Sequence, residues 1–197
     1  MPEAKTLLEL SGADLTPASA AEAVLILIDI QEEYRSGPIA VTGFARAAAA
    51  AAHLLAEARE KRSPIIHVAH KGRAGGLFDR DVERGRIAGE VTPLAGETIV
   101  EKTLPNAFAG TNLTALLEAA GRKNIVLAGF MTHMCVSSTA RAALDLGYRV
   151  TVGADACATR DLPDGTGGVL SAATVHQVAL AELADRFAIV ARGGGAG

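Results

Sequence analysis

Ala23-Val-Leu-Ile-Leu-Ile-Asp29 is six apolar residues running into an aspartate. A run of that length without polar alternation fits a strand covered on both faces, and such strands belong to parallel sheets. The same cadence returns along the chain. An alanine-rich helix from about Ala45 to Arg62 separates this strand from a second, Pro64-Ile-Ile-His-Val-Ala69, and Thr98-Ile-Val-Glu-Lys102 reads as a third. Leu113 to Ala120 is helical, with Gly121 placed to stop it, and Asn124-Ile-Val-Leu-Ala-Gly129 is a fourth strand. A helix from about Met134 to Leu146 ends at Gly147. Tyr148-Arg-Val-Thr-Val-Gly153, a helix over Leu170 to Ala184 and Ala188-Ile-Val190 complete the series. Parallel strands need crossover connections, so the expected fold is α/β: a three-layer, Rossmann-like, mostly parallel six-stranded sheet with helices on both faces.

The chain has 197 residues, enough for one domain with a substantial core. Hydrophobic residues make up 49% and aromatics only 4%, so alanine supplies much of the apolar share and favours close helix packing over aromatic pockets. A formal charge of −3, with no block of either sign, argues against a nucleic-acid partner. The first residues carry Glu3, Glu9 and Asp14 without a signal pattern, and no apolar run is long enough to span a membrane. The expectation is a cytoplasmic protein whose two cysteines, Cys135 and Cys157, are free thiols. Residues 1–20 are expected to form an arm outside the core, residues 193–197 a disordered tail, and the whole chain a single domain.

Ligands of open parallel sheets bind beyond the carboxyl ends of the strands, where the winding reverses. Asp29 ends the first strand, Lys102 ends the third, and Cys135 lies in the turn after the fourth, so all three belong to one edge. A cysteine opening a helix sits among unpaired amides at the positive end of the helix dipole, which favours thiolate. Asp29 can accept its proton and later pass it to a leaving nitrogen, while Lys102 balances the charge. Each residue also has a packing or capping role open to it. Lys71 to about Gly96 joins two strands without a clear period, and a connection that long is a candidate lid.

Three segments resemble the isochorismatase-like cysteine hydrolases, a superfamily that includes nicotinamidases, carbamoyl-amidases and cyclic-amide hydrolases. They are Leu25-Ile-Leu-Ile-Asp-Ile-Gln31, Val100-Glu-Lys-Thr-Leu-Pro-Asn-Ala-Phe-Ala-Gly-Thr111 and Val126-Leu-Ala-Gly-Phe-Met-Thr-His-Met-Cys-Val-Ser-Ser-Thr139. Asp155-Ala-Cys-Ala-Thr-Arg-Asp161 resembles a later segment of the family. The resemblance implies a catalytic triad of Asp29, Lys102 and Cys135. It also implies a non-proline cis peptide between Phe130 and Met131, an oxyanion hole from the Met131 and Cys135 amides, and a homo-oligomer of two or more copies.

Nicotinamidases resemble one another in an Asp-x-His metal motif after the second strand, which this chain replaces with His67-Val-Ala-His70. Three residues apart on a strand, His67 and His70 face opposite ways, so they read as packing or surface residues rather than as metal ligands. No metal and no cofactor are expected. Tyr34, Phe108 and His133 are candidates for contacting a small-molecule substrate because each lies near a triad member in sequence. His133 has a structural role in its turn equally open to it, and Cys157 reads as packing. The activity expected is hydrolysis of an amide-like C–N bond through a thioester. Two alternatives stand beside it: vinyl-ether hydrolysis of isochorismate by acid chemistry, and a non-catalytic ligand-binding protein on the same fold. A dinucleotide site is disfavoured, since Asp29-Ile-Gln-Glu-Glu-Tyr-Arg35 occupies the place of a glycine-rich phosphate turn.

Overall fold

The computed structural model describes residues 3–193. Six strands form the central sheet: β1 (Ala23–Ile28), β2 (Ile65–His70), β3 (Thr98–Lys102), β4 (Asn124–Phe130), β5 (Arg149–Ala158) and, after the short pair β6 (Leu162–Pro163) and β7 (Val169–Leu170), β8 (Ile189–Ala191). The order is β3-β2-β1-β4-β5-β8 with every pairing parallel, so the sheet is all-parallel where mostly parallel was expected. The chain winds outward through β2 and β3 and then restarts at β4 on the other side of β1. That reversal places the switch point between β1 and β4.

β1 is buried at all six positions, and its alternation divides the core. Leu25 and Leu27 pack with Ala47, Ala48, Ala51 and Leu55 of α2 (Phe44–Glu60). Val24, Ile26 and Ile28 pack on the opposite face with residues of α3 (Leu113–Ala120), α4 (Ser137–Asp145) and α5 (Ala172–Arg186). The small side chains of Ala47, Ala48 and Ala51 let α2 lie close to the sheet, so helix layers cover both faces as expected. Gly121, at φ 65°, ends α3 in the left-handed conformation expected of a stop.

Several boundaries differ from the sequence reading, most by a residue or two. β5 continues to Ala158 instead of ending near Gly153, because after an irregularity at Leu127/Gly129 it resumes pairing with β4 through Gly129–Cys157 and Phe130–Ala158. Cys157 is therefore inside a strand, not after it, and it is buried. The fourth helix begins at Ser137, because residues Thr132–Val136 form a π-helical turn of their own. The β6–β7 ribbon, only two residues per strand, carries too short a pattern to read in advance.

Residues 3–20 lie against the chain's own β5 and α5. The Leu7 amide donates to Asp185 (2.9 Å) and the Ala18 amide to the Thr151 hydroxyl (3.0 Å), and α1 (Leu7–Leu10) is closed by a Thr6/Glu9 capping box. The expected disorder of the glycine-rich tail falls on residues 194–197, which lie outside the described residues. Among the described residues no helix is long and apolar enough to cross a membrane.

Candidate active site

Register determines which side chains reach the carboxyl edge together. Ile28 pairs with Val68 and with Gly129, and His70 pairs with Lys102, so four neighbouring strands finish within a residue or two of one another. The approach of β4 to β1 is close. A Cβ on Gly129, at φ 134°, would stand 1.9 Å from the Ile28 carbonyl oxygen, so only glycine fits there.

Beyond β1 the chain turns at once. The Asp29 amide still donates to Val68 (2.9 Å) as part of the ladder, but Asp29 has φ 52° and its carbonyl accepts from the Gln31 amide only two residues on (2.9 Å). This turn holds the Asp29 carboxyl at the sheet edge instead of letting it splay into solvent. Beyond β4, the Phe130–Met131 peptide is cis, and the Met131 carbonyl accepts amides from Met134 (3.0 Å) and Val136 (3.3 Å), closing the π-helical turn that carries Cys135. Lys102 arrives from β3, two strands away from β1, and reaches across.

The structure brings these three residues together. Lys102 Nζ lies 2.6 Å from Asp29 Oδ2 and 3.4 Å from Cys135 Sγ, so one ammonium bridges the carboxylate and the thiol. All three are buried, at 0%, 1% and 3% exposure for Asp29, Lys102 and Cys135. The Asp29 carboxyl is held chiefly by its close contact with the Lys102 ammonium. Burial raises its pKa from the ordinary value despite the attraction of Lys102. Burial first, and the Asp29 charge second, push the Cys135 thiol up to about 12. Burial thus works against the thiolate expected at a helix N-terminus. Among these buried groups one cation faces both the carboxyl and the thiol, so a second negative charge beside the first would have no cation of its own.

His70 was read as a packing or surface residue; instead its half-buried ring stands with Nδ1 3.2 Å from Lys102 Nζ. Burial and the adjacent ammonium lower its pKa to about 4, leaving a neutral imidazole that accepts from Lys102. Reading β2 one residue further would have found it at the same edge. His67 does pack: it is buried, with Nε2 2.8 Å from Glu97, which also holds Arg59 at 2.7 Å. Gln31 is a second residue that sequence reasoning passed over. Its side chain accepts from the His70 amide (2.8 Å) and donates to the carbonyls of His70 (3.0 Å) and Gly85 (2.8 Å), tying the end of β2 to the connection after it.

That connection covers the site. Phe78, at φ 59°, packs its ring 4.9 Å from His70 and 5.1 Å from Tyr34, and its amide donates to buried Glu33 (3.1 Å). Arg84 pairs with the same Glu33, Arg35 pairs with Glu90 (2.8 Å), and the Ala88 amide donates to Ile30 (2.8 Å). The long segment expected as a lid is therefore folded down upon residues 30–35.

Of the candidates for substrate contact, Tyr34 is close to the triad: burial raises its hydroxyl pKa, and the charges of Asp29 and Cys135 raise it further. Its ring also meets Phe130 edge-on at 5.7 Å. His133 lies on the other flank, with Nδ1 2.6 Å from the Thr159 hydroxyl, and it lines a cavity of about 210 Å³ with Leu162, Leu170 and Val175. Phe108 is not brought into the group. The Ala107 amide is anchored on the Thr139 hydroxyl (3.1 Å), and the Phe108 ring stacks on Tyr148 (6.4 Å), which precedes β5 at the amino edge of the sheet. Nearness in sequence to Lys102 misled because the chain leaves the edge directly after β3.

A carboxylate, an ammonium and a thiol at the switch point of an all-parallel sheet define an α/β protein with a buried ionisable centre. The chain belongs to the isochorismatase family: the isochorismatase domain matches residues 23–193. It is similar to the crystal structure of an isochorismatase from Pseudomonas putida KT2440, with 45% identity, a TM-score of 0.93 and coverage of 96% of this chain and 97% of that one. It is 40% identical over 177 residues to a secreted isochorismatase effector of Verticillium dahliae, covering 89% of this chain and 90% of that protein. A maleamate amidohydrolase of Pseudomonas putida is 31% identical over 145 residues, 65% of this chain and 68% of that protein.

Proposed function

We propose that this protein is a cysteine amidohydrolase that cleaves the C–N bond of a small amide-like substrate through a thioester on Cys135. The observation that carries this reading is Lys102 Nζ standing between Asp29 (2.6 Å) and Cys135 (3.4 Å). Asp29 takes the thiol proton as Sγ attacks the carbonyl carbon, so charge moves from one side of Lys102 to the other and the ammonium stays paired throughout. The Met131 and Cys135 amides receive the oxyanion; one such donor is worth roughly 3 kcal/mol in the transition state. The tetrahedral intermediate collapses with its nitrogen protonated by Asp29, leaving a thioester and a neutral amine. Asp29 then deprotonates a water that attacks the thioester, the acid departs, and the proton returns to sulfur. The raised pKa of Asp29 suits a group that must both take and give a proton.

The family likeness also supports a second reading, hydrolysis of the vinyl ether of isochorismate, in which Asp29 acts as an acid and sulfur forms no bond. A panel of amides, ureides, lactams and isochorismate, run against wild type and Cys135→Ala, separates the two. Amide turnover lost in the variant, with an acylated Cys135 detected by mass spectrometry in wild type, supports the thioester. Turnover that survives Cys135→Ala overturns it. The free thiols Cys135 and Cys157 support a reducing, cytoplasmic setting.

A further inference from the structure

The turn that carries Cys135 depends on its surroundings for support. Thr132–Val136 is a single π-helical turn with no side-chain cap at Met131, and such turns are rare and concentrate at functional sites. Two of its side chains moor it to other elements. His133 Nδ1 meets the Thr159 hydroxyl just past β5 (2.6 Å), and the Thr132 hydroxyl meets Nδ1 of His176 on α5, 44 residues further along the chain (2.8 Å).

The second mooring is the deeper one. Thr132 is buried at 0% exposure, and among the described residues His176 is the side chain that satisfies its hydroxyl. Burial first, then the charges of Arg192 and Arg46, lower the His176 pKa against the pull of Asp155. That favours the neutral ring, which keeps a nitrogen able to accept from the hydroxyl. His176 is itself held in place. The Ala172 amide at the start of α5 donates to Asp161 (2.7 Å), Ser171 caps the helix on the Thr174 amide (3.2 Å), and Val175 and Ala179 on either side of His176 are buried. His176 also borders a cavity of about 130 Å³ with Thr42, Arg46 and Thr159, so no packed neighbour stands ready to replace its contact.

Thr132 is bonded directly to Met131, and Cys135 follows three residues later in the same turn. A hydroxyl pinned to α5 therefore fixes the backbone beside both amides that receive the oxyanion, and donors held in advance of the reaction are the ones that lower its barrier. We infer that His176 is a positioning residue for this chemistry: through the Thr132 hydroxyl it holds the π-helical turn so that the Met131 and Cys135 amides point at the oxyanion. This rests on the amidohydrolase reading above.

The test separates attack on a carbonyl from the reactivity of sulfur. p-Nitrophenyl acetate acylates a thiol through a tetrahedral oxyanion, whereas iodoacetamide alkylates it by direct displacement and forms no oxyanion. With Cys135→Ala as background, His176→Leu is expected to slow the nitrophenolate burst by ~10- to 100-fold and to leave alkylation of Cys135 much as in wild type. His176→Asn, whose amide can reach the place of Nδ1, is expected to restore most of the burst. Thr132→Val keeps the shape and loses the hydroxyl; it is expected to match His176→Leu, and the double variant to be no slower than either single. A burst unchanged in His176→Leu, acylation and alkylation slowed equally, or additive losses in the double variant would each overturn the inference. Should His176→Leu not fold, Thr132→Val carries the same comparison. A second measurement does not depend on acylation: peptides spanning residues 131–136 are expected to exchange amide hydrogens faster in His176→Leu or Thr132→Val than in wild type. If wild type gives no burst above Cys135→Ala, that failure belongs to the thioester reading, and exchange still decides His176, because an unchanged rate over 131–136 overturns its hold on the turn.

Discussion

Asp29 and Lys102 are both almost fully buried, and that makes each dependent on the other. Removing one partner of a buried pair leaves an uncompensated charge, which costs roughly 3–5 kcal/mol, whereas removing both leaves only a change of shape. Asp29→Asn and Lys102→Met are each expected to lower urea-unfolding stability by about that range, and the double variant to recover most of the loss. Additive losses would show that the 2.6 Å contact carries little energy. The identity of all three triad side chains was legible because strand ends can be read from hydrophobic runs, and one edge of a parallel sheet collects them. Their ionisation was not legible. A helix N-terminus argues for thiolate, but the burial that pushes Cys135 to about 12 comes from packing with segments distant in sequence, which no local pattern assembles.

At the scale of elements, the packing of β4 against β1 and the closure of residues 71–96 decide whether the site exists and whether it is reached. Gly129→Ala is expected to destabilise the fold by ~3 kcal/mol, because the added methyl meets the Ile28 carbonyl and the strands must part. A Tm within a degree of wild type would contradict that close approach. Phe78→Ala opens the roof over His70 and Tyr34, so iodoacetamide is expected to modify Cys135 several-fold faster than in wild type, read by peptide mass; an unchanged rate would mean that another element gates the pocket. The length of the 71–96 segment announced a functional connection, yet its docking was hidden. Glu33, Arg84, Gln31 and Gly85 are far apart in sequence, and their pairing depends on the three-dimensional path of the segment.

For the molecule as a whole, buried histidines couple stability to pH. His70 has its pKa lowered from 6.5 to about 4, and burial lowers those of His67, His133 and His176 as well. The unfolded chain therefore binds protons that the folded protein refuses, so stability is full above the unfolded value near 6.5 and declines as pH falls towards 4. The Tm is expected to fall across that window, and His70→Gln to flatten part of the fall; a slope unchanged in the variant would assign the effect to the other histidines. The strand order that creates the site follows from whole-chain packing in the same way. Alternation along β1 sends Leu25 and Leu27 to α2 and Val24, Ile26 and Ile28 to the opposite layer, and right-handed crossovers permit few arrangements of such strands. The amino-acid sequence by itself determined the α/β layering and the three reactive side chains, because periodicity and strand ends are local properties of the chain. Only the tertiary structure decided the charge states, the roof over the site, and the placing of His70, because those depend on which distant groups exclude water from one another.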